Sequence, residues 1–550
     1  MMPGHLRSMP PAAAPGRAAG NPGETPLPPG RTHGSARGSP RLSRARLFGL
    51  PDHVRLPLFD PAGLRPGILH LGCGSFHRAH QAWLTQCAIE AEMAVRDAFS
   101  HGAGHSVATS VPPPWGIVAA SLRTPGVVQA LQPQDGLYSV LEQGPCATRV
   151  CVVASLCQLI YGPAQAAALY RAFADPHIRI VTLTVTSGGY PLDPATGRID
   201  PADPGLQSDL RPGAAPATAI GVLVDGLRLR RAAGLPPPVV LCCDNLPQNG
   251  AMLRQACLDF SALRDDALSG WIARHVQFPS TMVDRIVPST SDADHAEAQA
   301  ALGLVDAAPV PSEPFSQWVI ERFEGPRPLW EAAGAQFVGD VAPWEASKLR
   351  LLNGGHLALA CLGLLAGCRT VAEAMAVPGF GAFMLRFMLA EQRPTLPPSD
   401  HDIDAYARQL LARWRNHRIA HSLQRVARDG SAKLASRLLS SIADNQAAGR
   451  PTPCTTLAVA AWLRCCEGTD DHGLPIRLED HLGERLAATA RAADGNADVL
   501  VDAMLAQGDV FGRLGANRAF REALVASVEQ LRLRGARAAV AACLAGARHA

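Results

Sequence analysis

The sequence predicts a Rossmann-type α/β domain followed by an all-α domain. Three observations carry this. Short apolar or β-branched runs alternate with helix-length segments from residue 66 to about residue 340. The first of those runs ends in Gly72-Cys73-Gly74, a tight turn in front of a helical segment. Beyond Trp344, long segments of helical periodicity continue toward the C-terminus with little that reads as strand.

Residues 1–60 are dominated by Pro, Gly, Ala, Ser and Arg and have no apolar periodicity, so they are expected to form a disordered leader. Their Arg-rich, acid-poor composition resembles a transit peptide. They lack a continuous apolar run for secretion, however, and the prolines forbid a clean amphipathic helix, so a flexible extension is the simpler reading. The first strand covers Ile68, Leu69, His70 and Leu71, and the helix after it runs through Gln81, Leu84 and Ile89. Further strands are expected at 115–120, 148–156, 178–185 and 239–243, with helices at 164–174 and 217–232. Strands alternating with helices imply a parallel sheet covered on both faces. Residues 101–114 read as a surface loop insertion, and residues 313–337 are expected to add late strands to the first sheet. Helices at 345–365, 403–414, 455–465 and 516–532 make the second half. The expected division is a leader at 1–60, a cofactor domain at 61–340 (its boundary falling by family pattern near 308) and a helical domain at 341–550.

Composition narrows the function. With 51 basic and 48 acidic side chains the net charge is +3, too little to gather nucleic acid or an anionic membrane. The longest apolar stretch, 351–367, is interrupted by Asn353 and His356 and falls short of the ~18–20 residues of a membrane helix. The 14 cysteines include no C-x-x-C pair, and Cys242–Cys243 and Cys465–Cys466 are adjacent, which reads as reduced thiols in a cytoplasmic protein. The expected partner is a small molecule, and the expected state a monomer or small homo-oligomer.

Four groupings carry chemistry. Gly72 and Gly74 let the chain bend tightly and approach a pyrophosphate, although His77 stands where the dinucleotide fingerprint has its third glycine. On a regular helix at roughly 100° per residue, Lys348, Asn353 and His356 project at about 0°, 140° and 80°, so an amine, an amide and an imidazole converge. Gly354 and Gly355 between them suggest that something comes close to the backbone there. The alternative is a Lys reaching solvent beside an Asn and a His satisfied in a domain interface. The segment 243–250 follows an apolar strand, which places Asn245 at the ligand crevice of an open sheet, with an Asx turn as the alternative. Met282-Val283-Asp284-Arg285 reads as a structural ion pair.

Together these segments resemble the polyol-specific long-chain dehydrogenase family, which includes mannitol 2-dehydrogenase and fructuronate reductase (D-mannonate oxidoreductase). The resemblance rests on Gly72-Cys-Gly-Ser-Phe-His-Arg-Ala-His-Gln81, Gln134-Asp-Gly-Leu-Tyr138, Leu183-Thr-Val-Thr186 with Gly188-Gly-Tyr190, and Cys243-Asp-Asn-Leu-Pro247. It continues through Phe278-Pro279 with Met282-Val-Asp-Arg285, Glu313-Pro-Phe with Gln317-Trp-Val-Ile, and the Lys348, Asn353, His356 set. It implies a helical domain like that of 6-phosphogluconate dehydrogenase. It also implies zinc-independent, nicotinamide-dependent interconversion of a secondary alcohol and a ketone on a sugar alcohol or sugar acid, with NAD as cofactor, NADP left open, and no metal.

Residue by residue, the resemblance makes Lys348 the general acid/base, with Asn245 and Asn353 polarising the carbonyl oxygen and His356 orienting substrate. It assigns Gly72, Gly74, Phe76, His77, Arg78 and Asp284 to the cofactor side and Arg425 to the substrate. The chain departs from the family in two places. Leu122-Arg123-Thr124 has no carboxylate where several relatives hold the adenosine ribose, and Ser187 replaces a usual Glu. Two other readings compete: a catalytically silent nucleotide-sensing or scaffold protein on the same fold, and a metal-dependent dehydrogenase using His70, His77 and His80. The latter set has no Cys or Glu at ligand spacing.

Overall fold

The computed structural model describes residues 40–102, 113–193 and 196–546. Five parallel strands form the central sheet: β1 (Pro66–Leu71), β2 (Gly116–Ser121), β5 (Leu156–Tyr161), β6 (Ile180–Leu183) and β7 (Val239–Cys242), in the order β5-β2-β1-β6-β7. Every residue of β2, β6 and β7 is buried, which is why they read as continuous apolar runs rather than alternating ones. One core lies on each face of the sheet. Ile68, Ile117 and Ile180 point to one, and Leu69, Val118 and Val181 to the other.

The sequence merges two strands at 148–156 that the structure separates as β4 (Thr148–Val153) and the start of β5. β4 pairs antiparallel with β3 (Tyr138–Gln143), a strand that the apolar-run reading passes over. The late strands do not join the central sheet as expected. β9 (Val310–Ser312) extends the β3–β4 hairpin, while β10 (Gln317–Glu321) and β11 (Gln336–Val338) pair with β8 (Thr281–Asp284) in a third sheet. The reason is local: β8 runs antiparallel to β10, in register from Asp284 opposite Gln317 to Thr281 opposite Ile320, and no crossover returns the chain to the first sheet.

Residues 41–60, expected in the leader, are folded into the α/β half. The first part of the leader and most of the 101–114 insertion lie outside the described residues. From residue 41 onward, however, Leu42, Leu47, Leu50, Val54 and Phe59 are buried in the same core as β1 and β2. The Arg55 backbone bonds Val150 and Val152 of β4, and its guanidinium bonds Glu90 at 2.7 Å. Among the described residues the second half is helical, built around Gly354–Leu365 and Pro453–Cys466 with Arg518–Gly546 packed beside them. All fourteen cysteines are free thiols, and no described helix is long and apolar enough to cross a membrane.

Candidate active site

The turn after β1 gives its two glycines different tasks. Gly72 has φ +104°, and a Cβ there would lie 2.0 Å from the Thr184 carbonyl oxygen, so β1 and β6 close together only with glycine. Gly74 has ordinary φ, and its missing side chain faces open space toward a cavity of about 1000 Å³ lined also by Ser75, Ser121, Arg123, Thr184 and Thr218. A backbone that a ligand can approach closely is therefore present at Gly74.

The other residues that the resemblance placed on the cofactor side are distributed differently. Arg78 reaches the cavity but is 6% exposed, donating to the Ala308 carbonyl at 2.6 Å and stacking over Tyr138. Phe76 stacks on His80 and is absent from the cavity wall. His77 is fully buried, stacked 3.4 Å from His70, with neither ring nitrogen bonded. It supports the turn from beneath rather than touching the cavity, because the short helix Ser75–Ala79 turns its side chain back onto β1. His70 in turn bonds Thr182, Thr184 and the Gly72 carbonyl, and burial pushes it down to about 3. The only described group with metal-ligand spacing is Asp429, Asp480 and His481, which contains none of His70, His77 and His80.

Asn245 stands at the end of β7, on a loop that neighbouring polar groups fix. Asp244 is buried and accepts from the Val185 and Thr186 amides and the Tyr190 hydroxyl, at 2.9, 2.8 and 2.7 Å. The Asn249 carboxamide bonds the Asp244 carbonyl and both backbone groups of Thr281. Neither Asp244 nor Asn249 was singled out in the sequence, although both lie in the polar run that holds Asn245.

Lys348 comes from the opposite half. Its Nζ donates to Asn245 Oδ1 and to the Val283 carbonyl, both at 2.6 Å, and the side chain is 8% exposed. Burial pulls the ammonium below its ordinary value. Arg413 and Arg437 pull in the same direction, while Asp284 and Glu345 oppose them. The helix carrying Lys348 is not regular, since Lys348–Asn353 is a π-helical stretch between Ala342–Ser347 and Gly354–Leu365. Sequence spacing at 100° per residue misses this extra width, so the angular positions expected of Lys348, Asn353 and His356 shift. His356 lies one turn on. It is buried, held neutral by burial and by the neighbouring cations, and packed edge-to-face on His421 at 4.8 Å, with its Nε2 unbonded.

The approach that Gly354 and Gly355 were expected to admit is made by the protein itself. A Cβ on Gly354 would meet the Arg437 carbonyl at 2.7 Å, and one on Gly355 the Trp414 ring at 2.6 Å. Asn353 is half-buried, its carbonyl 3.4 Å from Arg437 Nη1. Arg425 is exposed and bonds Ser289 Oγ across the cleft at 3.1 Å. Asp284 is far more enclosed than a cofactor contact: both its oxygens are taken by Arg413, at 2.7 and 3.0 Å. Arg413 is a residue that the sequence reading missed.

Lys348 and Asn245 thus meet at the C-terminal edge of the central sheet, while the cavity at Gly74 is lined by neither of them. Residues 66–332 match the mannitol dehydrogenase Rossmann domain and residues 340–532 the mannitol dehydrogenase C-terminal domain. The chain belongs to the mannitol dehydrogenase family. Within that family it is 38% identical to the mannitol 2-dehydrogenase of Cereibacter sphaeroides, covering 90% of this chain and 99% of that one. It is 37% identical to the D-mannonate oxidoreductase of Escherichia coli, covering 89% and 98%. The solved Pseudomonas fluorescens mannitol 2-dehydrogenase, a ternary complex with NAD and D-mannitol, superposes with a TM-score of 0.75 at 36% identity over 92% of this chain and 99% of that one. This mannitol dehydrogenase family member is therefore an oxidoreductase with a Rossmann domain and a helical C-terminal domain.

Proposed function

We propose that the chain is an NAD(P)-dependent, zinc-independent dehydrogenase that interconverts a secondary alcohol and a ketone on an open-chain polyol or hexonate. The observation that carries this reading is Lys348, a buried amine of the helical half hydrogen-bonded to Asn245 of the α/β half. The cavity at Gly74 fits a dinucleotide. It offers a backbone without side chain, with Ser75 and Arg78 beside it for a pyrophosphate, and Ser121, Arg123 and Thr124 at the end of β2 for the adenosine ribose. When bound, the nicotinamide ring accepts a hydride from the carbinol carbon or returns it.

The protein's own residues then handle the proton and the charge. Lys348 as free amine takes the hydroxyl proton during oxidation, and as ammonium it gives the proton back during reduction. Asn245 and Asn353 direct amide N–H donors at the oxygen that gains negative charge, a stabilisation that costs no solvent reorganisation in an enclosed site. His356 is neutral and retains an unbonded Nε2 for a substrate hydroxyl. Arg425, exposed at the cleft, meets a hydroxyl or carboxylate at the substrate's far end.

The two named activities among the relatives stand at nearly equal identity, so both substrate pairs are tested together. Steady-state assays with D-mannitol/D-fructose and D-mannonate/D-fructuronate, each with NAD and NADP, are expected to give turnover with at least one pair. Turnover with none would refute the proposal.

A further inference from the structure

Asp284, Arg413 and Glu313 form a closed ionic triad behind Lys348. Arg413, from the helix Ile403–Trp414, donates through Nη1 and Nη2 to the Asp284 carboxylate at 2.7 and 3.0 Å. It donates through Nε and Nη2 to the Glu313 carboxylate at 2.9 and 2.7 Å. All three side chains are at most 5% exposed. Asp284 ends β8 and Glu313 follows β9, so one guanidinium from the helical half holds two carboxylates of the α/β half. Glu313 also accepts from the Ile286 amide at 2.6 Å, and the Arg413 guanidinium covers the Phe315 ring at 4.0 Å.

The arithmetic of charge inside this triad is unequal. Two carboxylates against one guanidinium leave one negative charge in a place that water does not screen. The neighbouring Arg285 is paired with Glu142 at 2.8 Å, a carboxylate that Arg149 also meets at 3.1 Å, and Arg285 also feels the Glu313 charge. The charged or titratable groups acting on Lys348 are Asp284, Arg413, Arg437 and Glu345 of its own helix, together with His80, which burial lowers to about 4 and so keeps neutral. Glu313 bonds Arg413 through Nε and Nη2 and shares that Nη2 with Asp284, so the two carboxylates draw on one guanidinium.

We propose that Glu313 is a positioning residue for the reaction, acting through Arg413 to set how much of Asp284's negative charge reaches Lys348. This rests on Lys348 being the proton acceptor, as above. With Glu313 ionised, the surplus negative charge supports the ammonium and keeps Lys348 a competent base despite its burial. With Glu313 neutral, Arg413 cancels Asp284, the ammonium loses that support, and Lys348 becomes a weaker base.

The test uses the isosteric Glu313→Gln, which keeps an acceptor for Arg413 but removes the charge, with Asp284→Asn and Arg413→Lys beside it. For Glu313→Gln and Asp284→Asn, the limb of kcat/KM that reports Lys348 is expected to move to lower pH by about one unit, a tenfold change in deprotonated fraction at a given pH. Arg413→Lys keeps the charge and is expected to leave the limb in place while kcat falls. Lys348 and Lys433 are the only two lysines in the chain, so trace acetylation across the same pH range, read by mass spectrometry, follows the Lys348 amine with Lys433 as internal comparator. An unmoved limb and an unmoved Lys348 labelling curve in Glu313→Gln would overturn the inference, with Asp284→Asn showing how far the limb moves when the direct partner loses its charge. If the wild-type protein turns over no substrate, the proposed function fails separately and the labelling curves alone decide this point. If Glu313→Gln does not fold, Glu313→Ala, which also removes the charge, decides it by the same two readouts.

Discussion

Lys348 Nζ and Asn245 Oδ1 lie 2.6 Å apart, although 103 residues separate them and they belong to different halves of the protein. The bond fixes the amine against the strand-end loop that Asp244 and Asn249 brace, so the proposed base is aimed by the Rossmann half and delivered by the helical half. Replacing Lys348 with Ala is expected to lower kcat by about 10²–10⁴-fold, the usual contribution of a positioned general base, with cofactor affinity unchanged. Fluorescence titration of NADH alongside steady-state kinetics checks both. Unchanged turnover in this variant would show that Lys348 is not the base.

The pH dependence follows from the direction of the Lys348 shift. Burial pulls its ammonium below the ordinary lysine value, and oxidation needs the free amine. Alcohol oxidation is therefore expected to rise with pH through that depressed value and then level off. Reduction, which needs the ammonium, falls across the same interval. Profiles measured in both directions share one limb if Lys348 serves both. A shared limb near ~10.4, where an exposed lysine titrates, would show that burial is not acting on it.

The glycines at 72 and 74 separate folding from binding. Gly72→Ala forces a Cβ to 2.0 Å from the Thr184 carbonyl in a left-handed backbone, and it is expected to lower the melting temperature or abolish folding. Gly74→Ala meets no neighbour closer than 4.0 Å, so the fold is expected to survive while cofactor affinity drops. Thermal unfolding and NADH titration of the pair distinguish the two effects.

Removing residues 1–60 is expected to cost the fold. Leu42, Leu47, Leu50, Val54 and Phe59 are buried in the core that holds β1 and β2. Such side chains stabilise by about 1.5–3 kcal/mol each when fully buried, against a typical net stability of roughly 5–15 kcal/mol. Soluble yield and thermal unfolding of the shortened chain, compared with the full chain, measure this. An unchanged melting temperature would mean that the segment is dispensable.

Much of this architecture is written in local patterns. The buried strands β1, β2, β6 and β7 are apolar runs bounded by turns, and the helix Ile403–Trp414 starts after Asp402, whose side chain caps it, and carries a clear apolar face. What escapes local reading is pairing at a distance. Arg413 is an arginine in Arg-Trp-Arg like many others, and its meaning lies in Asp284 and Glu313, 129 and 100 residues away. The destination of the late strands is hidden for the same reason. The leader misleads because its abundant Pro and Arg mask five irregularly spaced apolar side chains that pack without any helical or strand period. Among the site residues, the structure brings Lys348 against Asn245 and buries His356 on the helix that follows. It encloses His77 and Asp284 away from the cavity, since sequence carries no direct record of which side of a turn is wet.

The π-helical stretch Lys348–Asn353 makes the cleft depend on chain length as well as on residue type. The helix holds a surplus residue there. Deleting Leu351 or Leu352 would leave apolar neighbours and a continuous regular helix, yet it would remove the widened turn that sets the projection of Lys348 and Asn353 ahead of His356. Variants that change the count between these two positions would dismantle the site without altering one polar group in it.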